Sequence, residues 1–321
     1  MNLLAFSAGV DSTALFFILL DKKIDFDIAI VNYHKRKQVK KEIEYAKQLA
    51  KKYNKNIHIK DCYLDDSNFE AKARKCRYKF FEDLAKQYGY TDLYLAHQLN
   101  DKFEWFLMQF SKGAGLKELV SMPKIEKKEK FIIHRPLMEW SKKEILEYLK
   151  KNKIKYFVDE SNFDTKYKRN YFRKTFANRF IDEFKDGVIR SFEYLEEDKN
   201  LLFKEDWQQE KDLYFFKKQD SKIDIKKVDS ILKKMGYLLS KSQRDEIIKT
   251  NFSIVIGGKI AIDSNKNTIF IAPYHTPIMD KKFKDKMRIQ KFPPKIRGYI
   301  YKFLGDLMVV REGLEPSTSG L

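Results

Sequence analysis

Residues 7–12 read Ser-Ala-Gly-Val-Asp-Ser, between an apolar run at 3–6 and a second one at 14–20. A buried strand, a tight loop and the first turn of a helix account for that pattern. The N–H groups at a helix N-terminus lack intrahelical partners, and the helix dipole adds partial positive charge there. Such a loop suits a phosphate group. The amides of Ala8, Gly9 and Val10 would line it, Ser7 and Ser12 add hydroxyl donors, and Asp11 is a carboxylate able to hold Mg²⁺. No Gly-Lys-Ser/Thr follows, so this is not a Walker loop.

Three further groups of residues carry chemistry. His97 closes an apolar run, and Asp101 and Glu104 follow in the first turn of a helix. Spaced three apart, the two acids share a face and can bind Mg²⁺ or an ammonium group, or simply complement the helix dipole. Arg74 and Arg77 are also three apart, on a helix where they can meet phosphates of a nucleotide or of RNA, or face solvent. The stretch 159–173 is dense in acids, amides, aromatics and arginines. Within it Arg169 and Arg173 are four apart, with Asn170 between them. Arg135 lies at the end of the apolar run 131–137.

Positioning these groups falls to an alternating series. Strand-like runs at 26–34, 56–61, 92–96 and 131–137 alternate with helix-like stretches at 38–53, 68–88, 101–111 and 141–151. Ser141-Lys-Lys-Glu144 is a capping box. Regular alternation implies a parallel sheet flanked by helices, an α/β fold whose ligands gather at the carboxyl ends of the strands. The loop at 7–12, His34, His97 and Arg135 all fall near such ends. We expect a catalytic domain over 1–185, a charged helical linker over 186–215 and a smaller α+β domain over 216–310. In the last, 224–250 reads as two short helices around Gly236. Ser253 to Ile262 reads as a hairpin turning at Gly257-Gly258, and 267–272 as a third strand. The end, 311–321, is small and polar and reads as a disordered tail.

Composition sets bounds on partners. The chain has 321 residues, a net charge of +19 and 43% hydrophobic content, enough for two domains with real cores. The charge, together with 18 Tyr and 26 Phe, is compatible with a nucleic-acid partner. The two cysteines, Cys62 and Cys76, form no CxxC and argue against a disulfide scaffold, a zinc ribbon or an iron–sulfur site. The apolar run that starts right behind Met1 leaves no room for a signal peptide, and no segment approaches the ~20 apolar residues of a membrane span. The expectation is a cytoplasmic protein with reduced thiols and no membrane partner.

Together the four signals are similar in order and spacing to the tRNA(Ile)-lysidine synthases, a family of N-type ATP pyrophosphatases. The family pattern is an SGGxDS loop, an N-x-E-A-x-A-R-x-x-R-Y helix and an H-x-x-x-D-x-x-E-T segment. An RPL strand end and a D-x-S-N-x-D-x-x-Y-x-R-N-x-x-R stretch complete it. The match runs from Leu3 to about Phe176. Three departures stand out. Ala8 replaces the second loop glycine, which strains the loop by ~1 kcal/mol if that position needs φ > 0. Asn100 replaces the first Asp of a pair, and Trp105 replaces the usual Thr.

The resemblance implies two half-reactions. ATP adenylates the C2 oxygen of the wobble cytidine (position 34) in the CAU-anticodon isoleucine tRNA, releasing pyrophosphate. The ε-amine of free L-lysine then attacks C2 and AMP leaves. Codon reading changes from AUG to AUA, and charging from Met to Ile. On this reading ATP sits on Ser7 to Ser12, and Mg²⁺ is held by Asp11 and Asp101. Asp11, His97, Asp101 and Glu104 are the candidate catalytic residues. Arg74, Arg77, Arg135, Arg169, Asn170 and Arg173 are candidate tRNA or phosphate contacts, and homodimer formation stays open. Alternatives are a 2-thiocytidine-type enzyme, for which paired CxxC cysteines are missing, a small-molecule amidotransferase-type ligase, and a tRNA-binding protein with an inactive ATPase core.

Overall fold

The computed structural model describes residues 1–35, 38–65, 67–158, 168–203 and 206–305, and divides into two compact units, Met1–Lys199 and Asn200–Leu321. In the first unit β1 (Asn2–Ala5), β2 (Asp27–Asn32), β3 (Ile57–Asp61), β4 (Asp92–Tyr94), β5 (Ile125–Lys127) and β6 (Ile132–His134) form one sheet of order β3-β2-β1-β4-β6-β5. All pairings are parallel except that of β5 with β6. The helices are α1 (Val10–Asp21), α2 (Val39–Lys52), α3 (Phe69–Tyr88), α4 (Leu99–Phe110), α5 (Leu116–Leu119), α6 (Lys142–Lys151), α7 (Lys168–Phe172) and α8 (Asn178–Leu202). A π-helical turn, Arg173–Ala177, joins the last two.

Both sheet faces are covered, which is why the two central residues of β1, Leu3 and Leu4, are both apolar and buried. Leu4 packs among Phe16, Leu19, Leu49 and Leu149 on the side of α1, α2 and α6. Its neighbour Leu3 points the other way, into Phe80, Phe81 and Leu84 of α3. Chain order runs outward from β1 through β2 to β3, then restarts at β4 on β1's other side. The crevice between β1 and β4 is therefore the topological switch point, where open α/β sheets bind ligands. The loops that leave those two strands carry residues 6–9 and 95–98.

The second unit holds a five-stranded antiparallel sheet of order β7-β8-β11-β10-β9: β7 (Gln208–Glu210), β8 (Leu213–Lys217), β9 (Ile254–Ile256), β10 (Ile260–Ser264) and β11 (Thr268–Pro273). Its helices are α9 (Ser221–Lys234), α10 (Lys241–Lys249), α11 (Lys281–Ile289) and α12 (Pro294–Tyr299). Gly257 and Gly258 take φ of +55° and +66°, as the tight β9–β10 turn requires.

The structure departs from the sequence expectations in two places. Residues 186–215 are helical only to Leu202 and then supply β7 and most of β8. Tyr214 and Phe216 pack on one face of the sheet, Leu213 and Phe215 on the other. A strand buried on both faces loses its alternation, so its period cannot be told from that of a helix. Cys62 and Cys76, expected as free thiols, are joined as a disulfide with their Cα atoms 6.9 Å apart. Folding places the end of β3 beside α3, which no CxxC spacing announces. The segment 159–167 and the expected tail at 311–321 lie outside the described residues.

Candidate active site

The loop after β1 is built to present donors. Ala8 has φ +58°, a left-handed conformation that its methyl group disfavours, and it is fully buried. Its carbonyl accepts the N–H of Phe157 at 3.0 Å, which fixes the loop from outside. The Ser7 and Ser12 hydroxyls are 3.0 Å apart, and Ser12 Oγ accepts the Ser7 N–H at 3.2 Å. Gly9 is the N-cap of α1 and no side chain caps that end. In contrast, α4 and α6 both carry complete capping boxes. The first turn of α1 thus keeps the open N–H groups that an anion needs.

Asp11, in that turn, holds Lys142 Nζ at 2.7 Å from its Oδ1, and both side chains are about one-third exposed (31% and 32%). Burial raises the Asp11 pKa, and Lys142 works against that rise. Lys142 is the first residue of α6, and its backbone N–H donates to Asn100 Oδ1 at 3.1 Å. Asn100 is 1% exposed, and its amide nitrogen donates to Asn178 Oδ1 at 2.8 Å. A single buried amide therefore ties α4, α6 and α8 together.

The two acids of α4 do share a site, and two arginines occupy it with them. Glu104 is fully buried and accepts from Arg169 Nε at 3.0 Å, Arg173 Nε at 2.6 Å and Arg173 Nη2 at 3.0 Å. Asp101 accepts from Arg169 Nη2 at 2.6 Å through Oδ1, and from the Gln98 N–H at 3.2 Å through Oδ2 as the N3 member of the capping box. The helical four-residue spacing of Arg169 and Arg173 lets both guanidiniums reach one carboxylate. The environment splits the acids. Burial pushes Asp101 up, but Arg169, His97 and Arg173 overcome it and hold the carboxyl below its ordinary pKa. At Glu104 burial wins over Arg173, and the pKa is raised.

His97 ends the loop after β4. Burial lowers its pKa to about 4, Asp101 opposes that fall, and Arg135, Arg169 and Arg77 deepen it. The imidazole is neutral near pH 7, and its Nδ1 is buried without a hydrogen-bond partner. Arg77 and Arg135 thus lie within electrostatic range of His97, but only Arg77 is exposed. Arg135 is 3% exposed, with Nη1 on the Pro123 carbonyl and Nη2 on Glu126, and serves the β5–β6 hairpin. Arg74 is exposed and stacks on Tyr78, 4.7 Å from the ring centroid. His34 is held at the end of β2 by Asp61 at 2.7 Å and stacks on Tyr63. Asn170 lies between the two arginines on α7.

A PP-loop domain family matches residues 1–180. The tRNA(Ile)-lysidine synthase of Wolinella succinogenes is 43% identical over 302 residues, covering 94% of this chain and 92% of the relative. The chain belongs to the tRNA(Ile)-lysidine synthase family. The Campylobacter jejuni synthase is 45% identical, covering 95% of this chain and 94% of its own, and the Helicobacter pylori synthase 44%, covering 94% and 89%. Among solved structures, the U34-tRNA thiolase NcsA of Methanococcus maripaludis shares the fold. It has a TM-score of 0.50 and 18% identity, covering 61% of this chain and 72% of that one.

Set against this lysidine-synthase frame, Lys142 and Asn178 are the residues that sequence reasoning missed. One signal was available. A lysine directly after a helix N-cap opposes the dipole, so its presence there calls for a partner.

Proposed function

We infer that the chain ligates lysine to C2 of the wobble cytidine of the CAU-anticodon isoleucine tRNA, at the expense of ATP. The observation that carries this reading is the near full-length correspondence with lysidine synthases, 43% identity across 92% of the Wolinella relative. The site is chemically suited to it. ATP would lie with its phosphates on the Ser7–Ser12 loop and the amides of α1. The cytidine O2 attacks the α-phosphate, and pyrophosphate leaves into the loop. The lysine ε-amine then attacks C2, and AMP departs with the oxygen. Positioning and charge neutralisation supply most of the catalysis.

Among the described residues no three acid, histidine or cysteine side chains converge as a closed metal site. Mg²⁺ that travels with phosphates needs only one or two carboxylates. Asp11, a partly buried acid with a cation already on it, fits that role, and the ion would neutralise phosphate charge. Asp101 has Oδ1 on Arg169 and Oδ2 on a backbone N–H, so we place it second to Asp11 as a metal ligand. The split in pKa direction supports distinct roles for the acids. Glu104, with raised proton affinity, suits proton removal from the ε-ammonium, and Asp101 stays ionised as a fixed charge. We assign His97 to hydrogen bonding through Nδ1, because a pKa of about 4 makes it a weak base. Arg169 and Arg173 would release the acids as substrate phosphates draw them away.

The proposal extends to location, tRNA grip and assembly. We place the enzyme in the cytoplasm with its tRNA substrate, and among the described residues no helix is long and apolar enough to cross a membrane. The second unit would serve tRNA. Exposed rings on α4 and α8, Phe110, Phe180 and Phe184, support a homodimer. The deciding experiment incubates the protein with ATP, lysine and a CAU-anticodon transcript, and follows pyrophosphate and the modified base by mass spectrometry. Formation of lysidine that depends on all three substrates is expected. Pyrophosphate release without base modification would overturn the reading.

A further inference from the structure

We propose that Lys142 is a phosphate-binding residue of the pyrophosphate site, held on Asp11 until the nucleotide arrives. The proposal rests on the reading of the Ser7–Ser12 loop as that site. Lys142 Nζ stands 2.7 Å from a carboxylate in the first turn of α1, the helix whose uncapped N–H groups point where the phosphates would lie. About a third of each side chain is open to solvent, so a ligand can reach the pair.

Three features separate Lys142 from an ordinary surface ion pair. First, it occupies the first position of α6, where a cation works against the helix dipole. The dipole therefore disfavours a lysine there, and its charge has to be met by another group. Second, its backbone is clamped. The Lys142 N–H is bound by the buried Asn100, which is itself bound to Asn178. The flexible side chain therefore swings from a fixed base, and a rotamer change suffices to move Nζ from Asp11 to a neighbouring oxyanion. Third, the charges match an exchange of partners. A magnesium-bearing polyphosphate brings a cation for Asp11 and an anion for Lys142, so neither partly buried charge is left alone at any stage.

The ligand class is a di- or triphosphate, and inorganic pyrophosphate is the probe. Its binding to the full chain is measured by calorimetry without metal and then with Mg²⁺. Lys142→Met should weaken pyrophosphate binding at least tenfold, and Lys142→Arg should recover part of the loss. Without metal, Asp11→Asn should tighten pyrophosphate binding several-fold, because it frees Lys142 and removes a negative charge. In the Lys142→Met background that gain should shrink. A lysine that only braces α1 against α6 would show a different pattern. Both single variants would melt earlier, and the two would not move pyrophosphate affinity in opposite directions.

Equal affinity in wild type and Lys142→Met, with wild type binding normally, overturns this proposal alone. Absence of pyrophosphate binding and of pyrophosphate release from ATP by the wild type overturns the loop assignment as well. Should Lys142→Met fail to fold, the metal-free comparison of Asp11→Asn with wild type decides. Unchanged or weaker binding by that variant refutes the parked-lysine arrangement.

Discussion

Acidification should cost this enzyme stability through His97. The ring has an ordinary pKa of 6.5, lowered in the fold to about 4, chiefly by burial. A depressed histidine contributes stability that is fully present above the unfolded pKa and is lost as pH falls towards the folded one. At pH 5 the unfolded chain carries the proton and the folded one does not. That difference is 1.5 pH units at 1.36 kcal/mol each, or about 2 kcal/mol. Part of the residue is open to solvent, so about 1–2 kcal/mol is the working range. For a unit of 199 residues this corresponds to a melting shift of roughly 2–8 °C. The assay compares unfolding of wild type and His97→Gln at pH 7.5 and pH 5. Other titrating groups cancel in the difference between the two proteins. Wild type should lose about 1–2 kcal/mol more than the variant over this interval. Parallel losses would refute the argument and place the imidazole in contact with water or with an acid that charges it. The same neutrality means that the rate profile of the enzyme should show no limb near pH 6.5 that disappears in His97→Gln.

Glu104→Gln should accumulate adenylated tRNA, with lysidine formation partly rescued at high lysine in a rapid-quench assay. Loss of adenylate formation at unchanged lysine dependence would assign Glu104 to ATP instead. Asn100→Ala should lower stability by about 1–3 kcal/mol through its two lost buried hydrogen bonds. An unchanged midpoint in urea unfolding of Asn100→Ala would contradict the clamp. Ala8→Gly relieves a left-handed strain of ~1–2 kcal/mol while losing a buried methyl of about 0.8 kcal/mol. It should therefore be better tolerated, by about 1–2 kcal/mol, than Ala14→Gly in α1, where no such relief exists; equal losses would show that Ala8 is unstrained. tRNA affinity should fall steeply with salt, and Arg169→Ala and Arg173→Ala should reduce turnover more than ATP binding; normal turnover in both variants would confine these arginines to structural pairing.

Local order was enough to read the parallel part of the catalytic unit's sheet, though not its antiparallel edge strand β5. An apolar run, small and hydroxyl residues, then another apolar run can hardly be anything but strand, loop and helix. Repetition of the pattern leaves a parallel sheet as its economical packing. The spacing of Asp101 and Glu104 placed them on one face because a helix repeats every 3.6 residues. The second unit was less legible. Its strand β8 is apolar on both faces, so the period that distinguishes strand from helix is absent.

The sequence by itself determined which acids would stand together and which loop position would carry strain. Each is set by residues within a few positions of one another, through backbone geometry that travels with the local chain. Only the tertiary structure decided what those groups meet. It set Lys142 against Asp11 across 131 residues, and Arg169 and Arg173 against Glu104 across 65 and 69. It turned Arg135 away into its own hairpin and left His97 Nδ1 without a partner. Ion pairs, burial and the pKa directions that follow from them depend on how far apart helices pack and in what register. No local spacing encodes that distance.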